Sequence, residues 1–120
     1  MLAMIEEFQA AWEELTAPGA QYATTTIDVR GVPILVFENA LPSMRTVWEL
    51  ARGYADRDYV VYEDERYTYA ESDAIIRVLA ARLVDEYGVQ PGDRVALAMR
   101  NYPEWVFGYW AIVSIGAACV

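Results

Sequence analysis

Leu2, Ile5, Phe8, Trp12 and Leu15 fall at steps of three and four, with Glu6, Glu7, Gln9, Glu13 and Glu14 between them. That period predicts an amphipathic helix, ended at Ala17-Pro18-Gly19. Its polar face carries four acids where a membrane-surface helix would carry Lys or Arg, so the stripe is expected to dock on its own protein. Tyr22 to Val29 and Val32 to Glu38 are β-branched and aromatic and flank Arg30-Gly31. They predict a β-hairpin with Pro33 at an edge.

From residue 46 helices and strands alternate. Thr46 to Tyr54 reads as a short helix, Tyr59 to Tyr62 as a strand, and Glu63 to Arg66 as a tight turn back into Tyr67-Thr68. Thr68 followed by Glu71 is a capping box, in which each side chain satisfies a backbone N–H of the other residue. Ile75, Leu79, Leu83 and Tyr87 mark the buried stripe of the helix that follows. Gly88 suits the left-handed residue beyond its end, Val89 the accompanying apolar contact, and Pro91 the stop.

Pro91-Gly92-Asp93 then turns the chain into Arg94 to Met99, where five successive apolar residues predict a strand buried on both faces, as in a parallel sheet covered by helices. Asn101 to Glu104 opens another helix, with Pro103 in its first turn. Trp105 to Ile115 leaves that helix almost no polar face, so it must be covered on nearly all sides. Gly116 to Val120 begins a strand. The predicted class is α/β, and the segment from 94 onward is a β-α-β unit of expected right-handed crossover. The final strand barely starts before Val120, which we read as the front part of a longer chain.

Composition narrows the chemistry. The chain has 120 residues, one domain or part of one, and 56% of it is apolar, which excludes a disordered tail. It has no His, and all nine basic residues are Arg, so an imidazole base, an imidazole metal ligand and a phosphate-loop lysine are absent. The single cysteine, Cys119, allows no internal disulfide and no Cys-cluster zinc site, as suits a cytoplasmic protein. Glu6 and Glu7 stand where a signal peptide would carry positive charge. A net charge of −9 disfavours nucleic acid and anionic lipid. The longest uncharged run, Trp105 to Val120, is sixteen residues, short of the ~20 that cross a bilayer.

An ordered set of motifs now stands out. It consists of Tyr67-Thr68-Tyr69-Ala70-Glu71, Gly88-Val89-Gln90-Pro91-Gly92-Asp93-Arg94-Val95-Ala96, Asn101-Tyr102-Pro103-Glu104-Trp105 and Gly116-Ala117-Ala118. In this order and spacing it resembles the ATP-dependent acyl-CoA synthetases of the AMP-binding, adenylate-forming superfamily. The resemblance covers residues 45–120, with residues 1–44 as a leader of helix plus hairpin. It implies the start of a large N-terminal domain whose helices pack on a mainly parallel sheet.

It also implies a two-step ligase. A carboxylic acid, fatty or aryl, attacks the α-phosphate of ATP with magnesium to give an acyl-adenylate and pyrophosphate, and coenzyme A displaces AMP. The family's phosphate loop, its lysines and its adenine contacts have no counterpart in these residues, so no catalytic, cofactor or metal residue is carried onto a position here. This segment is then scaffold, inactive alone, whose partner is the remainder of the same enzyme, and a homo-oligomer stays open. The Asp64-Glu65 turn departs from the glycine such enzymes often have there. A second reading is a free-standing acidic α/β module that binds another protein and catalyses nothing.

Individual residues carry competing readings. Glu63-Asp64-Glu65 has the oxygen chemistry of a Mg2+ or Ca2+ site, yet successive strand residues point to opposite faces, which favours a solvated turn. Cys119 has no His partner and sits in an apolar strand, which favours a structural thiol over a nucleophile. Trp105, Tyr109 and Trp110 suit core more than ligand stacking. Asn101, at the carboxyl end of a parallel strand, is the position singled out for proximity to a site, with helix capping or turn formation as its alternative.

Overall fold

The computed structural model describes the backbone of residues 2–120 and the side chains from Met4 onward. The chain divides into two compact units, Met1–Leu41 and Pro42–Val120.

In the first unit, α1 (Leu2–Thr16) is followed by β1 (Thr24–Val29) and β2 (Val32–Phe37), which pair antiparallel with Val29 opposite Val32. Arg30 (φ 55°) and Gly31 (φ 82°) are both left-handed, the backbone of a type I′ turn, whose twist matches that of the strands. Asp28 Oδ1 accepts the Gly31 N–H at 2.9 Å and holds the turn. The expected burial of the α1 stripe is not found. Ile5, Phe8, Trp12 and Leu15 are 47–73% exposed, and Ala23 is the fully buried apolar residue of this unit. One helix and a two-stranded hairpin enclose too little volume to cover both faces. The Leu2 side chain lies outside the described residues.

The second unit opens with α2 (Met44–Ala51), tightening into a 3₁₀ turn at Arg52–Tyr54. It starts two residues before the predicted Thr46 because Ser43 caps it, its Oγ accepting the Thr46 N–H at 3.2 Å. β3 (Asp58–Tyr62) and β4 (Glu65–Thr68) form a second antiparallel hairpin. Its turn is only Glu63-Asp64, since Glu65 and Arg66 already pair with Tyr62 and Val61. Between Asp58 and Val60 the register slips. The bulge leaves Tyr59 unpaired in the ladder and free to enter the core.

α3 (Tyr69–Asp85) begins at the predicted capping box and ends as expected, with Gly88 at φ 67° and the Gly88 and Val89 amides donating to Val84 and Leu83 carbonyls. Its inner face is centred one position from the predicted stripe. Ser72 and Ile76 are buried, Ile75, Leu79 and Leu83 half-buried, and Tyr87 is 74% exposed. Tyr87 lies past the Glu86 cap, where helical period no longer dictates direction.

β5 (Arg94–Val95), α4 (Pro103–Ser114) and β6 (Ala118–Cys119) form the β-α-β unit, with β5 and β6 parallel. Both strands are shorter than predicted. Backbone bonds continue from Val120 N to Val95 O and from Leu97 N to Val120 O, where the partner strand reaches the last residue. Burial from β5 into the stretch after it alternates, Val95 and Leu97 half-buried and Ala96 and Ala98 exposed, so burial on both faces is not found. α4 lies against the first of these faces, where a Cβ on Gly108 would meet Leu97 Cδ1 at 3.0 Å.

The mainly parallel sheet is thus reduced to this one pair. Among the described residues there are three two-stranded sheets, and the tight connections at Arg30-Gly31 and Glu63-Asp64 allow only antiparallel pairing in two of them. α4 is as covered as its sequence demands: Glu104 is its one exposed residue. Trp48, Ile76, Phe107 and Ala111 form the core, wrapped by Tyr59, Tyr67, Tyr69, Leu79 and Trp110. Among the described residues no helix is long and apolar enough to cross a membrane.

Candidate functional site

Polar chemistry in the second unit is organised around an aromatic cluster. Trp48 from α2 stands 5.2 Å from the Tyr59 ring and 5.0 Å from Trp110, and Tyr59 stands 4.5 Å from Tyr69. Trp110 Nε1 donates to Tyr59 Oη at 2.5 Å, satisfying both polar tips in the half-buried interior. Burial pushes the Tyr59 hydroxyl above its ordinary pKa, against the opposing pull of the Trp110 bond. Tyr67 is raised too, first because its hydroxyl donates to Glu65 Oε2 at 2.7 Å, which favours the protonated form. Tyr62 is raised by desolvation and by neighbouring Tyr102. A tyrosine acting as base or nucleophile needs the opposite shift.

Trp48 Nε1 also donates to Asp73 Oδ1 at 3.0 Å, while Arg52 Nε and Arg77 Nη1 stand 3.2 and 3.7 Å from Asp73 Oδ2. Asp73 therefore ties α2, the 3₁₀ turn and α3 together. Sequence reasoning missed this junction. Its legible part was the Asp73 to Arg77 spacing, an i,i+4 pair; the contact to Trp48, 25 residues away, left no local signal.

The sequence-derived positions fall as follows. Asn101 is exposed in a bend one residue before Tyr102, which is the N-cap of α4, and among the described residues no side chain caps that helix. Of the two alternatives for Asn101, capping is not met, whereas its place in the bend leading into α4 fits turn formation. Glu63 and Asp64 form the tip of the β3–β4 hairpin, and Glu65 is tied to Tyr67. Among the described residues no three His, Cys, Asp or Glu side chains gather as a metal site. Cys119 is a free, half-buried thiol in β6. Trp105 and Tyr109 stack on each other at 5.7 Å and Trp110 joins the core, in line with the packing reading.

Between α3, the β5 stretch and α4 runs an apolar groove of about 520 Å3, lined by Leu79, Leu83, Val95, Leu97, Phe107 and Ile112 among others. The chain is thus a helical and hairpin framework with a β-α-β start.

Comparison with known proteins accounts for that arrangement. The model of the AMP-binding enzyme family matches residues 47–120. The chain belongs to this family. Within the AMP-binding enzymes it is similar to YngI of Bacillus subtilis, an acyl-CoA synthetase by name, at 41% identity over 78 residues, covering 63% of this chain and 14% of that protein. The medium/long-chain-fatty-acid–CoA ligase FadD6 of Mycobacterium tuberculosis is 36% identical over 98 residues, covering 79% of this chain and 16% of the ligase. Among solved structures, the N-terminal subdomain of Klebsiella oxytoca NpsA in complex with 3-hydroxyanthranilyl-AMSN superposes with TM-score 0.63 at 24% identity, over 68% of this chain and 21% of that one, a likeness of fold. The chain therefore spans about a sixth or less of the curated relatives just named.

The family implies ATP and coenzyme A. The donor set of these residues does not fit a nucleotide. There is no lysine, and Arg45, Arg52, Arg66, Arg77 and Arg82 each give one nitrogen to an acid. No step through either group is built on them.

Proposed function

We propose that this chain is the scaffold-forming first part of an ATP-dependent acid–CoA ligase, which activates a fatty or aryl carboxylic acid to an acyl-adenylate and passes it to coenzyme A in the cytoplasm. The observation that carries the reading is the family match over residues 47–120, alongside similarity to FadD6 across 79% of the chain. The chain's own contribution is mechanical. α3 and α4 pack through Ile76, Phe107 and Ala111, and the β5–β6 pair fixes the start of a parallel sheet. In open α/β sheets ligands sit beyond the carboxyl ends of such strands, which keeps Asn101 as the residue of this segment proposed to lie nearest a site.

The test is exchange of labelled pyrophosphate into ATP, with a panel of aliphatic and aryl acids, on the natural protein that contains this chain and on the 120-residue chain alone. Exchange by the first and none by the second is expected. No acid-dependent exchange by the first refutes the ligase, and exchange by the second refutes the scaffold role.

A second acceptor chemistry has its own support. Malpinin synthetase of Mortierella alpina is 44% identical over 61 residues, and an artificially fused adenylation–PCP di-domain from Klebsiella oxytoca shares the fold at TM-score 0.62. Release of acyl-adenylate by free coenzyme A supports the CoA ligase. Release only by a carrier protein supports this alternative.

A further inference from the structure

Three of the nine arginines line a hollow of about 190 Å3 formed by α2, the middle of α3 and the end of α4. Arg45, Arg52 and Arg77 share it with Glu49, Asp73 and Ser114. The local balance is three cations to two anions, in a chain whose net charge is −9.

Each guanidinium has one nitrogen in an ion pair: Arg45 Nε with Glu49 Oε1 at 2.9 Å, Arg52 Nε with Asp73 Oδ2 at 3.2 Å, and Arg77 Nη1 with the same oxygen at 3.7 Å. A guanidinium carries about five N–H donors in a rigid fork, so most of the donors here are left over. The Asp73 acceptors are more fully used. Asp73 receives Trp48 Nε1 on one oxygen and two arginines on the other. Ser114 adds a buried hydroxyl, and among the described residues its Oγ has no hydrogen-bond partner. An excess of forked donors and a net positive balance favour an acceptor-rich ligand, to which the unanswered hydroxyl can donate.

We propose that this hollow binds a small tetrahedral oxyanion: free phosphate, or the terminal phosphoryl group of a small phosphomonoester. The forks of Arg45 and Arg77, both largely solvent-facing, grip its oxygens, a turn of the Ser114 side chain brings its now buried Oγ to it, and Arg52 stays with Asp73. Size sets the class, because sites for drug-sized ligands begin at about 300 Å3, which excludes a whole nucleotide.

The test is isothermal titration of inorganic phosphate, and separately of glycerol 3-phosphate, at constant ionic strength into the natural protein carrying this chain. Arg45→Gln, Arg77→Gln, Arg77→Lys and Ser114→Ala variants are run beside it. Saturable binding is expected. The two Gln variants should weaken it about fivefold or more, Ser114→Ala about threefold, and Arg77→Lys nearly as much as Gln because a point charge lacks the fork. Binding of inorganic phosphate identifies the free ion as ligand, and binding of the ester alone identifies the phosphoryl group. Circular dichroism checks folding. Should an arginine variant unfold, Ser114→Ala and the exposed Arg45→Lys decide. Absence of saturable binding by either probe, or binding that no folded variant weakens, overturns the proposal.

Discussion

Replacing Thr68 by Ala isolates one device on which the β4–α3 junction rests. Three hydrogen bonds meet there. Thr68 Oγ1 accepts the Glu71 N–H at 3.2 Å and donates to Glu71 Oε2 at 2.9 Å, and the Thr68 N–H donates to that same carboxylate oxygen at 2.8 Å. Alanine removes the first two and leaves the third, because the backbone N–H remains. Loss of an N-cap hydroxyl costs about 1 kcal/mol, within roughly 0.5–2.

The carboxylate makes this pH-dependent. The Thr68 backbone and hydroxyl bonds hold Glu71 below its ordinary pKa. A lowered folded-state pKa means that the unfolded chain binds the proton first on acidification. The contribution is therefore complete above the unfolded glutamate pKa and is lost as pH falls through the lower folded value. Urea unfolding followed by circular dichroism at neutral pH and below the carboxylate range reads both effects, with m held constant as the check on comparability. Thr68→Ala should lower the neutral midpoint and keep part of the acid dependence, whereas Glu71→Gln should flatten it. In the natural protein, single-turnover adenylation per folded molecule should stay within about threefold, a change of ~0.65 kcal/mol in barrier. Unchanged stability with a hundredfold slower chemical step would refute the capping argument and make Thr68 a site residue.

Other substitutions separate packing from backbone effects. Trp48→Ala, at 4% exposure and packed with three aromatic rings, should cost about 3–5 kcal/mol in chemical denaturation, and a loss under 1 would remove Trp48 from the core. Gly116→Ala should lose about 1–2 kcal/mol, since Gly116 sits at φ 81° and a Cβ would meet Pro91 Cβ at 3.2 Å; no change in the urea midpoint would contradict the left-handed backbone. Glu63→Gly should gain up to about 1 kcal/mol, because relief of a non-glycine residue at φ 50° outweighs the entropy a glycine adds to the unfolded chain; a loss would show that the Glu63 side chain holds the hairpin. With Phe8 73% and Leu35 64% exposed, the 120-residue chain alone should bind ANS or self-associate, and a monodisperse monomer without ANS signal would count against these faces being open.

What the sequence made legible follows the range of the physics involved. Capping box, terminal glycine and Pro103 at a helix start depend on residues within a turn of one another, and each stands where its motif places it. The turn at Arg30-Gly31 was legible for the same reason. The inner face of α3 was not, because Ser72 and Ile76 are chosen by what packs against them, and the residues opposite, Phe107 and Ala111, lie more than thirty positions on. Pattern alone also could not show that β5 has one covered face. Five apolar residues state a capacity for burial, and whether both faces are used depends on neighbours the strand does not encode.

The site divides in the same way. The missing lysine and histidine excluded a phosphate-loop lysine and imidazole chemistry from composition alone, whereas the gathering of Arg45, Arg52 and Arg77 exists only once α2 and α3 pack side by side around Asp73. Asp73 also explains why that packing is specific. A half-buried carboxylate left with one partner would be costly, but here an indole and two guanidiniums converge on it from three elements, so a slip of α2 along α3 would break several bonds at once. A polar junction of that kind fixes the register of two helices whose apolar surfaces, taken alone, would accept more than one alignment.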